Sequence, residues 1–462
     1  MSGETMSAGP HATQVAVVGA GPAGLRAVET LAKAGLRPIL LDEAARPGGQ
    51  IYRQPPDGAA RPAKALYGFE AAKAEALHGL LQRLGAQVDY RPDTLVWGIE
   101  GLRLDLLSHG RYEQLSVDRL VLATGAMDRV LPFPGWTLPG VFTLGAAQIA
   151  LKAQGVAIGR RVALVGAGPL LPLVAAQYLK AGVDLADVLD VTPLSAKVAD
   201  PLGLLRQPMT LAKGLWYMAR TALAGVRIHS GVKTIRAEGE GRVEALAWRD
   251  ARGRERRIGC DAIGASFGLR SEAQLADLAG CAFVFDTAAH QWQPQRAPDG
   301  RSRVDGLYLA GDGAAIGGAD VAELQGERTA LRLLADLGLP VDTSRIARLD
   351  GALARQARFH AALERAYPFP GRLIEALDDA EMLCRCEGIS VGTARAAVRD
   401  RGVTEMNQLK ALTRIGMGRC QGRVCGQAAA EVLARTRGCA IADVGRLRGN
   451  PPVKPIPIQE ID

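Results

Sequence analysis

The sequence predicts an α/β protein with two Rossmann-like dinucleotide-binding domains, the second inserted into the first, and a small helical C-terminal domain. Three observations predict this arrangement. A strand, a glycine-rich loop and a helix follow one another from Val15, the same pattern recurs from Arg161, and four of the seven cysteines lie between Cys384 and Cys425. At ~150 residues per domain, a chain of 462 residues has room for three domains and a large buried core.

The composition is that of an ordinary globular protein. Hydrophobic residues make up 48% and charged residues 23% of the chain, and the 55 glycines indicate many tight turns. The 56 Lys and Arg against 48 Asp and Glu leave a net charge of +8 that is spread along the chain. Because neither a basic block nor interleaved aromatic residues accompany this charge, it predicts solvated surface and excludes a nucleic-acid-binding groove.

The sequence shows no targeting or membrane-spanning signal. It has no run of 18 uninterrupted apolar residues, and residues 1–13 contain neither the basic nor the apolar part of a secretion signal. We therefore expect no transmembrane segment and a cytoplasmic location. The seven cysteines are odd in number and four of them fall within 42 residues near the C-terminus, which in a reducing compartment favours metal ligation over disulfides. Cys260, Cys281 and Cys439 stand alone and are expected to be small buried hydrophobic residues.

The first glycine-rich loop has the pattern of a dinucleotide-binding fingerprint. It joins an apolar strand over residues 15–18 to a helical run over residues 25–33. Gly19 permits the tight turn, Gly21 lets a pyrophosphate approach the backbone, and Gly24 lets the helix lie close to the strand. The partial positive charge of the helix N-terminus favours the same phosphate.

An acidic residue at the end of the next strand completes this fingerprint. The predicted strand 37–41 ends in Asp42, which is followed by Glu43. A carboxylate about 20 residues after the loop can accept hydrogen bonds from a ribose 2′-OH. The alternative, a glycine-rich loop without a ligand, is disfavoured because strand, glycines, helix and acid are all in register.

Three further motifs resemble those of the two-dinucleotide-binding flavoproteins. Arg46-Pro47-Gly48-Gly49-Gln50 follows the acid, a strand over 119–123 runs into Thr124-Gly125, and a strand over 306–310 runs into Gly311-Asp312. In that family these motifs bind FAD, and the last aspartate contacts its ribityl-phosphate region. The resemblance implies a set of FAD-binding residues: Gly19, Gly21, Pro22, Ala23, Gly24, Asp42, Glu43, Gly49, Gln50, Thr124, Gly125, Gly311 and Asp312.

The second glycine-rich loop is degenerate. Gly166 and Gly168 follow the strand that starts at Arg161, but Leu171 stands where the third glycine is expected, so the helix must be displaced or the turn remade. Asp190 falls at the end of a plausible strand and suits a ribose 2′-OH. These residues predict a Rossmann-like fold, and they disfavour working NAD(P)H reduction. An adenine nucleotide bound as a structural ligand and an empty site both stay open.

The chain also resembles the flavoproteins in its domain order. The disulfide-reductase branch is excluded because no cysteine precedes Cys260. Alternating residues predict β-hairpins over 94–106 and 243–258, and residues 261–268 are expected to return the chain to the first sheet. As in glutathione reductase, the second unit is then an insertion. The predicted domains are FAD-binding 12–130 with 262–345, second Rossmann-like 131–261, helical linker 346–378, [2Fe-2S]-binding 379–440 and a Pro-rich tail 441–462.

The C-terminal cysteines form the pattern C-x-C-x33-C-x4-C. The ligands would be Cys384, Cys386, Cys420 and Cys425. Structural zinc wants about two to four residues between paired ligands, so C-x-C fits zinc poorly. A [2Fe-2S] cluster fits better, since each pair can serve one iron. The pattern resembles the bacterioferritin-associated-ferredoxin-like [2Fe-2S] domain, and zinc or no metal is the alternative.

Basic and glycine residues surround these cysteines. An oxidised cluster with four thiolates carries a formal charge of about −2, which needs nearby cations and hydrogen-bond donors. Arg419 is our candidate for tuning its potential, and surface solvation is the alternative. The residues in question are Arg385, Arg414, Arg419, Arg423, Gly416, Gly418, Gly422 and Gly426.

The order of all these motifs resembles one family throughout. With Leu131-Pro132-Phe133-Pro134-Gly135-Trp136 between the two loops, nearly the whole chain looks like the large iron–sulfur flavoprotein subunit of heteromeric amine dehydrogenases. That family includes the A subunit of opine oxidase, the B subunit of hydrogen cyanide synthase, and subunits of hydroxyproline and proline dehydrogenases. The Pro-rich stretch 450–455 would be extended, either lying on a partner or disordered.

The resemblance implies an electron-transfer subunit with FAD and a [2Fe-2S] cluster. In the family a separate amino-acid-oxidase-like flavoprotein subunit oxidises an amino-acid-like amine of the opine, hydroxyproline, proline or glycine class. It is accompanied by a small ferredoxin-like subunit, and electrons reach a quinone or similar acceptor. Some relatives hold FMN at a subunit interface. A peripheral place on the inner membrane is compatible with this function.

The residues themselves indicate no catalytic side chain. No paired carboxylates or Ser-His-Asp set occurs, and the six histidines are scattered. Two other functions stay open: a self-sufficient NAD(P)H-dependent reductase that delivers electrons through the cluster, and an architectural subunit whose nucleotide sites do not turn over. Reduction of the flavin by NADH alone would favour the reductase.

Overall fold

The computed structural model describes residues 13–56, 58 and 61–458. The outermost predicted boundaries, residues 12 and 462, therefore lie outside the described residues. The predicted fold class is confirmed: two Rossmann-like units are followed by a small, mainly helical C-terminal domain. None of the described helices has the length and apolarity needed to cross a membrane.

The first unit is built on a five-stranded parallel sheet. Its strands lie in the order Leu307–Leu309, Arg119–Leu122, Val15–Val18, Ile39–Leu41 and Asp89–Arg91. The central strand is buried at every residue, as expected for a sheet covered on both faces. The helices of this unit are Pro22–Lys33, Ala63–Tyr67, Ala71–His78, Leu80–Leu84, Gln274–Leu278 and Gly318–Asp336.

Two helices of this unit cross at very close range. Helix Pro22–Lys33 buries Leu25, Val28 and Leu31 and packs along helix Gly318–Asp336. A Cβ placed on Gly326 would lie 2.0 Å from the carbonyl oxygen of Ala23, so only glycine allows this approach. This contact holds the helix that follows strand Leu307–Leu309 against the helix that follows the first glycine loop.

The second unit repeats the parallel sheet. Its strands lie in the order Ile228–Ser230, Asp184–Asp190, Arg161–Ala167, Ala262–Phe267 and Val141–Thr143. The helices of this unit are Leu144–Ile149, Leu170–Lys180, Leu194–Lys197, Pro201–Leu204 and Pro208–Leu223.

One predicted boundary is wrong. Residues 261–268 do not return the chain to the first sheet, because Ala262–Phe267 pairs with Arg161–Ala167 and Val141–Thr143 inside the second sheet. A short apolar strand of this kind suits either sheet, and its sequence does not say which. The return follows at Leu269–Ser271, which pairs antiparallel with the outgoing segment Ala126–Asp128. The other domain boundaries stay predictions.

Each unit carries an antiparallel meander, as its alternating residues predict. The first contains Thr94–Glu100, Arg103–Ser108 and Arg111–Ser116. The second contains Thr234–Glu238, Ala245–Arg249 and Glu255–Gly259. A further hairpin pairs Phe283–Asp286 with Gln291–Pro294.

The C-terminal domain shares a core with the second unit. Helix Thr343–Ala366 leads to it, and its own elements are Arg372–Glu375, Met382–Cys384, Ile389–Ser390, Val391–Arg401, Met406–Thr413 and Gly426–Arg437. Phe133 and Trp136 of the second unit pack in one cluster with Leu383 and Leu433. Trp136 also donates an indole hydrogen bond to the Met382 carbonyl at 2.8 Å. Because the two domains share this core, the cysteines of the C-terminal domain are held in position relative to the second unit.

The Pro-rich tail, as far as residue 458, lies on its own chain. The Val453 N–H donates to the Trp97 carbonyl at 2.9 Å, and the Val453 side chain is buried. Lys454 pairs with Glu43. The described part of the tail is thus a strap across the first unit instead of a disordered end, and its place against a partner stays a prediction.

Candidate cofactor sites

The first glycine loop is held where only glycines fit. A Cβ on Gly19, whose φ is +106°, would lie 2.3 Å from the Ala123 carbonyl oxygen, and one on Gly24 would lie 1.8 Å from that of Gly19. Around Gly21, by contrast, the nearest atom outside its chain neighbours is the Gly49 Cα at 3.8 Å. Gly19 and Gly24 therefore bring strand, turn and helix together, and Gly21 leaves the space that a phosphate needs.

The helix behind this loop is open to an anion. Pro22–Lys33 begins with no side-chain cap and no acidic residue in its first turn. Proline at the first helical position has no N–H, and the helix end carries partial positive charge. The loop and helix start thus fit the pyrophosphate of FAD, with Pro22 and Ala23 at the predicted contact.

Asp42 also holds the glycine loop in place, and its predicted contact with the ribose stays a prediction. One carboxylate oxygen accepts the Ala20 N–H and the other accepts the Ala44 N–H at 2.7 Å. Burial raises the pKa of Asp42, and these two donors oppose that shift. Asp42 therefore braces the glycine loop with both oxygens. Glu43 is exposed and has an ion pair with Lys454.

The two distant FAD motifs meet at the carboxyl ends of adjacent strands. A Cβ on Gly313 would lie 2.4 Å from the Thr124 Oγ1, and one on Gly311 would lie 2.7 Å from the Ala23 Cβ. Thr124, Gly125, Gly311 and the start of the first helix therefore surround one cleft. This is the edge where open parallel sheets bind nucleotides.

Asp312 closes the far end of this cleft. Its carboxylate accepts the N–H groups of Gly317 and Gly318 at 2.8 and 3.0 Å, and burial raises its pKa. Helix Gly318–Asp336 begins here. The predicted contact of Asp312 with the ribityl-phosphate region stays a prediction.

Gln50 lies at the exposed mouth of the cleft, and the sequence did not reveal its neighbour Lys152. Gln50 accepts a hydrogen bond from Arg53 at 2.9 Å. Lys152, from the second unit, donates to the Ile51 carbonyl at 2.9 Å. Burial lowers the pKa of Lys152 to about 8. About a hundred residues separate Lys152 from this loop, and no local pattern marks a single buried lysine.

The second glycine loop keeps its turn but lacks the third glycine. A Cβ on Gly166 would lie 1.6 Å from the Ser266 carbonyl oxygen, whereas Gly168 has open space around it. Leu171 is buried, and the helix begins at Leu170, two residues after the second glycine, instead of directly after it as in the first loop. The remade turn predicted from Leu171 is therefore present.

The predicted ribose acid of the second unit is already paired. Asp190 forms an ion pair with Lys197 at 2.6 Å and accepts the Thr192 N–H at 2.8 Å. Leu171, Asp190, Lys197 and Tyr367 line a cavity of about 20 Å³. A cavity of that size holds about one water molecule. A nucleotide would need Lys197 and Tyr367 to move.

The four predicted cluster cysteines come together. Cys384 contacts Cys425 through a hydrogen bond, Cys425 contacts Cys420, and Cys420 contacts Cys386. Among the described residues, no three or more His, Cys, Asp or Glu side chains form a site for a single metal ion. These contacts run as a chain through all four thiols, from Cys384 through Cys425 and Cys420 to Cys386, and a [2Fe-2S] cluster needs four thiolates brought together in this way.

Backbone donors favour the thiolate form of two of these cysteines. The N–H groups of Gly416 and Glu387 donate to the Cys384 sulfur, and together with the Cys425 thiol they lower its pKa to about 6. The Cys425 thiol and the N–H groups of Val424 and Gly422 lower the pKa of Cys420 to about 5. The contacts with Cys384 and Cys420 raise the pKa of Cys425 in turn, and burial raises the pKa of Cys386. The four thiols therefore share protons among themselves, and a metal has to displace the protons that remain because thiolates are the ligand form.

Glycines let the two cysteine loops approach each other. A Cβ on Gly418 would lie 2.3 Å from the Cys386 Cβ. Gly416 and Gly422 have φ values of +81° and +76°, and a Cβ on either would lie within 2.6 Å of Leu447 Cδ1. The predicted donors Gly416 and Gly422 therefore also serve the packing of the loop.

The predicted arginines divide into two groups, and the most central cation is one the sequence did not reveal. Arg385 and Arg419 are exposed, and Arg414 pairs with Glu387 at 2.8 Å at the surface. Arg423 is largely buried and pairs with Glu272 at 2.7 Å. Its carbonyl accepts a hydrogen bond from Arg270 at 3.0 Å. The Arg270 guanidinium lies in the electric field of Cys420 and Cys425.

Residues 270–274 connect the FAD cleft to the cysteines. Thr124 Oγ1 donates to the Glu272 carbonyl at 2.5 Å, and the Glu272 N–H donates to the Gly125 carbonyl at 3.0 Å. On the other side, Glu272 pairs with Arg423. Gln274 donates to the Gln421 carbonyl at 2.8 Å. One short segment thus touches both predicted cofactor sites.

Replacing Gly24 by alanine should abolish FAD binding. The new Cβ would collide with the Gly19 carbonyl and push the helix away from the strand, so we expect FAD affinity to fall by about 100-fold or more, as lost phosphate contacts imply. The measurement is the FAD-to-protein ratio after purification and FAD titration. Gly214→Ala is the matched control, since nothing lies within 4 Å of its Cβ position. Full FAD occupancy in Gly24→Ala would contradict the assigned loop.

Comparisons with known proteins agree with this geometry. Residues 13–326 match the pyridine nucleotide-disulphide oxidoreductase family, and residues 382–435 match the BFD-like [2Fe-2S] binding domain. The A subunit of opine oxidase from Rhizobium meliloti is 36% identical, over 97% of this chain and 86% of the relative. The HcnB subunit of hydrogen cyanide synthase from Pseudomonas aeruginosa is 33% identical over 96% of both chains.

A solved structure shares the fold over nearly the whole chain. L-proline dehydrogenase from P. horikoshii superimposes with a TM-score of 0.71 at 21% identity, covering 96% of this chain and 78% of that one. The chain therefore belongs to the pyridine nucleotide-disulphide oxidoreductase family and, with its C-terminal BFD-like [2Fe-2S] binding domain, groups with the A subunit of opine oxidase and with HcnB.

Proposed function

We propose that this chain is the FAD- and [2Fe-2S]-containing electron-transfer subunit of a multi-subunit dehydrogenase. Its substrate would be an amino-acid-like amine of the opine, hydroxyproline, proline or glycine class, and its electrons would go to a quinone or similar acceptor. The observation that carries the proposal is the segment 270–274, which touches Thr124 and Gly125 on one side and the loop 420–425 on the other.

The chain's own residues support a relay between two redox centres. When bound, FAD supplies two-electron and the cluster one-electron redox chemistry. The loop 19–24 and the Thr124, Gly311 and Asp312 backbone would hold FAD in the cleft. Cys384, Cys386, Cys420 and Cys425 would hold the cluster. Arg270 and Arg423 place positive charge beside the cysteines, which favours the more negative reduced state.

Most of the described histidines are engaged within the fold, which supports oxidation of the amine on a partner. Four of them are hydrogen-bonded within the fold, and His109 sits at an exposed turn. His78 contacts the Tyr52 carbonyl, His229 contacts Asp187, His290 contacts Glu431, and His360 contacts the Gly317 backbone. His360 therefore lies beside the far end of the cleft, next to Asp312, where it is engaged with the backbone.

The proposed partners follow from this division of labour. An amino-acid-oxidase-like flavoprotein subunit would remove the electrons from the amine, and a small ferredoxin-like subunit would complete the assembly. The relatives from opine oxidase and hydrogen cyanide synthase are themselves subunits of larger enzymes by name. We include FMN at a subunit interface and an adenine nucleotide in the second unit as further proposed cofactors.

The second candidate function is a self-sufficient NAD(P)H-dependent reductase. A second Rossmann-like unit with Gly166 and Gly168 favours it. The Asp190–Lys197 ion pair and the buried Leu171 speak against it, because the predicted ribose acid already has a charged partner and the third glycine is replaced by a core residue.

One anaerobic experiment separates the two functions. We expect the flavin absorbance of the purified complex to bleach when the amine is added, and the iron–sulfur signal to follow. NADH should leave the flavin of the same sample oxidised. Rapid bleaching by NADH, with no response to any amine of the four classes, would favour the reductase instead.

Replacing Glu272 by glutamine should slow electron transfer to the cluster. Arg423 would lose its buried counter-charge, and the loop 420–425 would shift from the FAD cleft. We expect cluster reduction to slow by about tenfold, the equivalent of ~1.4 kcal/mol, while flavin reduction by the amine is unchanged. Stopped-flow absorbance follows both steps. Glu255→Gln removes an exposed ion pair and is the control. Equal cluster-reduction rates in both variants would refute the role of Glu272.

The two arginine candidates should differ in their effect on the cluster potential. Arg270→Met removes a partly buried cation near Cys420 and Cys425, so we expect the midpoint potential to fall by about 30–60 mV, or ~0.7–1.4 kcal/mol for one electron. Arg419→Ala removes an exposed charge that solvent screens, so its shift should be smaller. Redox titration monitored by EPR measures both. If Arg419→Ala leaves the potential unchanged within error, the tuning role predicted for Arg419 is wrong.

A further inference from the structure

Helix Pro208–Leu223 turns an apolar face to the solvent. Among its sixteen residues only Thr221 is buried. Met209, Leu215, Trp216 and Leu223 are 72%, 58%, 43% and 89% exposed. The smaller residues of the same outward stripe, Ala212, Ala219 and Ala222, are not buried either. The repeat of three and four residues puts them all on one side of the helix.

The apolar face continues beyond the helix. The exposed large apolar residues that precede it are Leu194, Val198, Leu202 and Leu205. Phe69 of the first unit is also exposed and packs edge-on against Trp216, with ring centroids 5.2 Å apart. A group of exposed large apolar side chains of this kind marks an interaction site. We call this set of residues, from 194 to 223 with Phe69, the apolar face.

Positive charge borders the apolar face. No Asp or Glu occurs between residues 201 and 237, whereas the basic residues there are Arg206, Lys213, Arg220, Arg227, Lys233 and Arg236. Lys180 donates to the Lys64 carbonyl at 2.6 Å. Its pKa is lowered by burial and by the charges of Arg220 and Lys64. Lys64, Lys180 and Arg220 therefore lie close enough together for their charges to interact.

The nearby carboxylates are already paired. Asp200 pairs with Arg365, and Glu70 pairs with Lys213 at 2.5 Å and with Lys73 at 3.3 Å. These pairs neutralise Lys213 and leave Lys64, Lys180 and Arg220 without a carboxylate partner among the described residues. The apolar face is thus flanked by charge that an anion would neutralise.

We propose that the apolar face binds an anionic lipid bilayer, with helix Pro208–Leu223 lying in the plane of the interface. An interfacial helix needs a polar boundary rich in Lys and Arg and an apolar side with Trp and Leu, and this helix has both. Trp216, whose ring also contacts the Arg220 guanidinium at 5.3 Å, stands at the headgroup level that tryptophan prefers.

Charge decides between a bilayer and a protein as the occupant. A protein partner could cover the leucines, but it would also need an acidic patch opposite Lys64, Lys180 and Arg220. An anionic bilayer supplies phosphates along the whole border of the face, and each basic residue near that surface adds to the attraction. The inference goes beyond the proposed relay and does not rest on it. If the chain delivers electrons to a quinone in the bilayer, binding through the apolar face brings the chain close to that acceptor.

Vesicle flotation of the purified FAD- and iron-containing protein tests the inference. We expect it to float with vesicles of equal parts phosphatidylglycerol and phosphatidylcholine and to be released by high salt. The double variant Leu215→Glu with Trp216→Glu should bind about tenfold less, because two charges would replace the inserted side chains. Lys64→Gln with Arg220→Gln should also weaken binding.

Leu412→Glu is the matched control. Leu412 is 55% exposed on helix Met406–Thr413, away from the apolar face, so its variant should float like the wild type. FAD and iron content verify that each variant is folded, and flavin reduction by the amine tests the relay separately. Equal flotation of the double variant and the wild type, or equal binding to pure phosphatidylcholine, would overturn the proposal. So would loss of a partner subunit in the double variant while the wild type ignores anionic vesicles.

Discussion

The buried ion pair between Glu272 and Arg423 is the interaction on which the arrangement of the two cofactor sites depends. It joins a residue whose backbone is bonded to Thr124 and Gly125 to a residue between two cluster cysteines. A buried pair is costly to break because either partner alone is an unpaired charge in a poorly solvated place. Removing the pair would therefore loosen the contact between FAD cleft and cysteine loop, and not only change the local charge.

The rest of the chain keeps that contact in place from both sides. The C-terminal domain is built into the core of the second unit, through residues such as Trp136 and Leu383. The tail then returns across the first unit, where Arg446 pairs with Asp277 at 2.6 Å and Val453 pairs with the strand at Trp97. The cysteine domain is thus attached to both Rossmann-like units, so the distance between the two sites follows from packing and not from a flexible linker.

Local patterns were enough to predict much of the fold and of both sites. The spacing of Gly19, Gly21 and Gly24 predicted a steric fit that the structure shows, and the cysteine spacing predicted which thiols meet. The features that the sequence could not predict depend on contacts between residues that are far apart in the chain. The sheet that Ala262–Phe267 joins depends on which partner strands are free, and the position of Arg270 beside the thiols depends on the docking of a distant domain.

Asp42 and the second glycine loop show why a fingerprint does not by itself predict binding. Gly166 is required by the Ser266 carbonyl behind it, whether or not a nucleotide binds, and Asp42 is used to brace the loop. The fold therefore requires Gly166 and Asp42 whether or not a nucleotide binds. The third glycine position is the one at which the two loops differ. Gly24 lies too close to a carbonyl oxygen for any Cβ, whereas Leu171, at the same position of the second loop, packs into the core. Where that glycine is lost, the strand and turn persist, and the helix begins one residue later with Leu171 packed in the core.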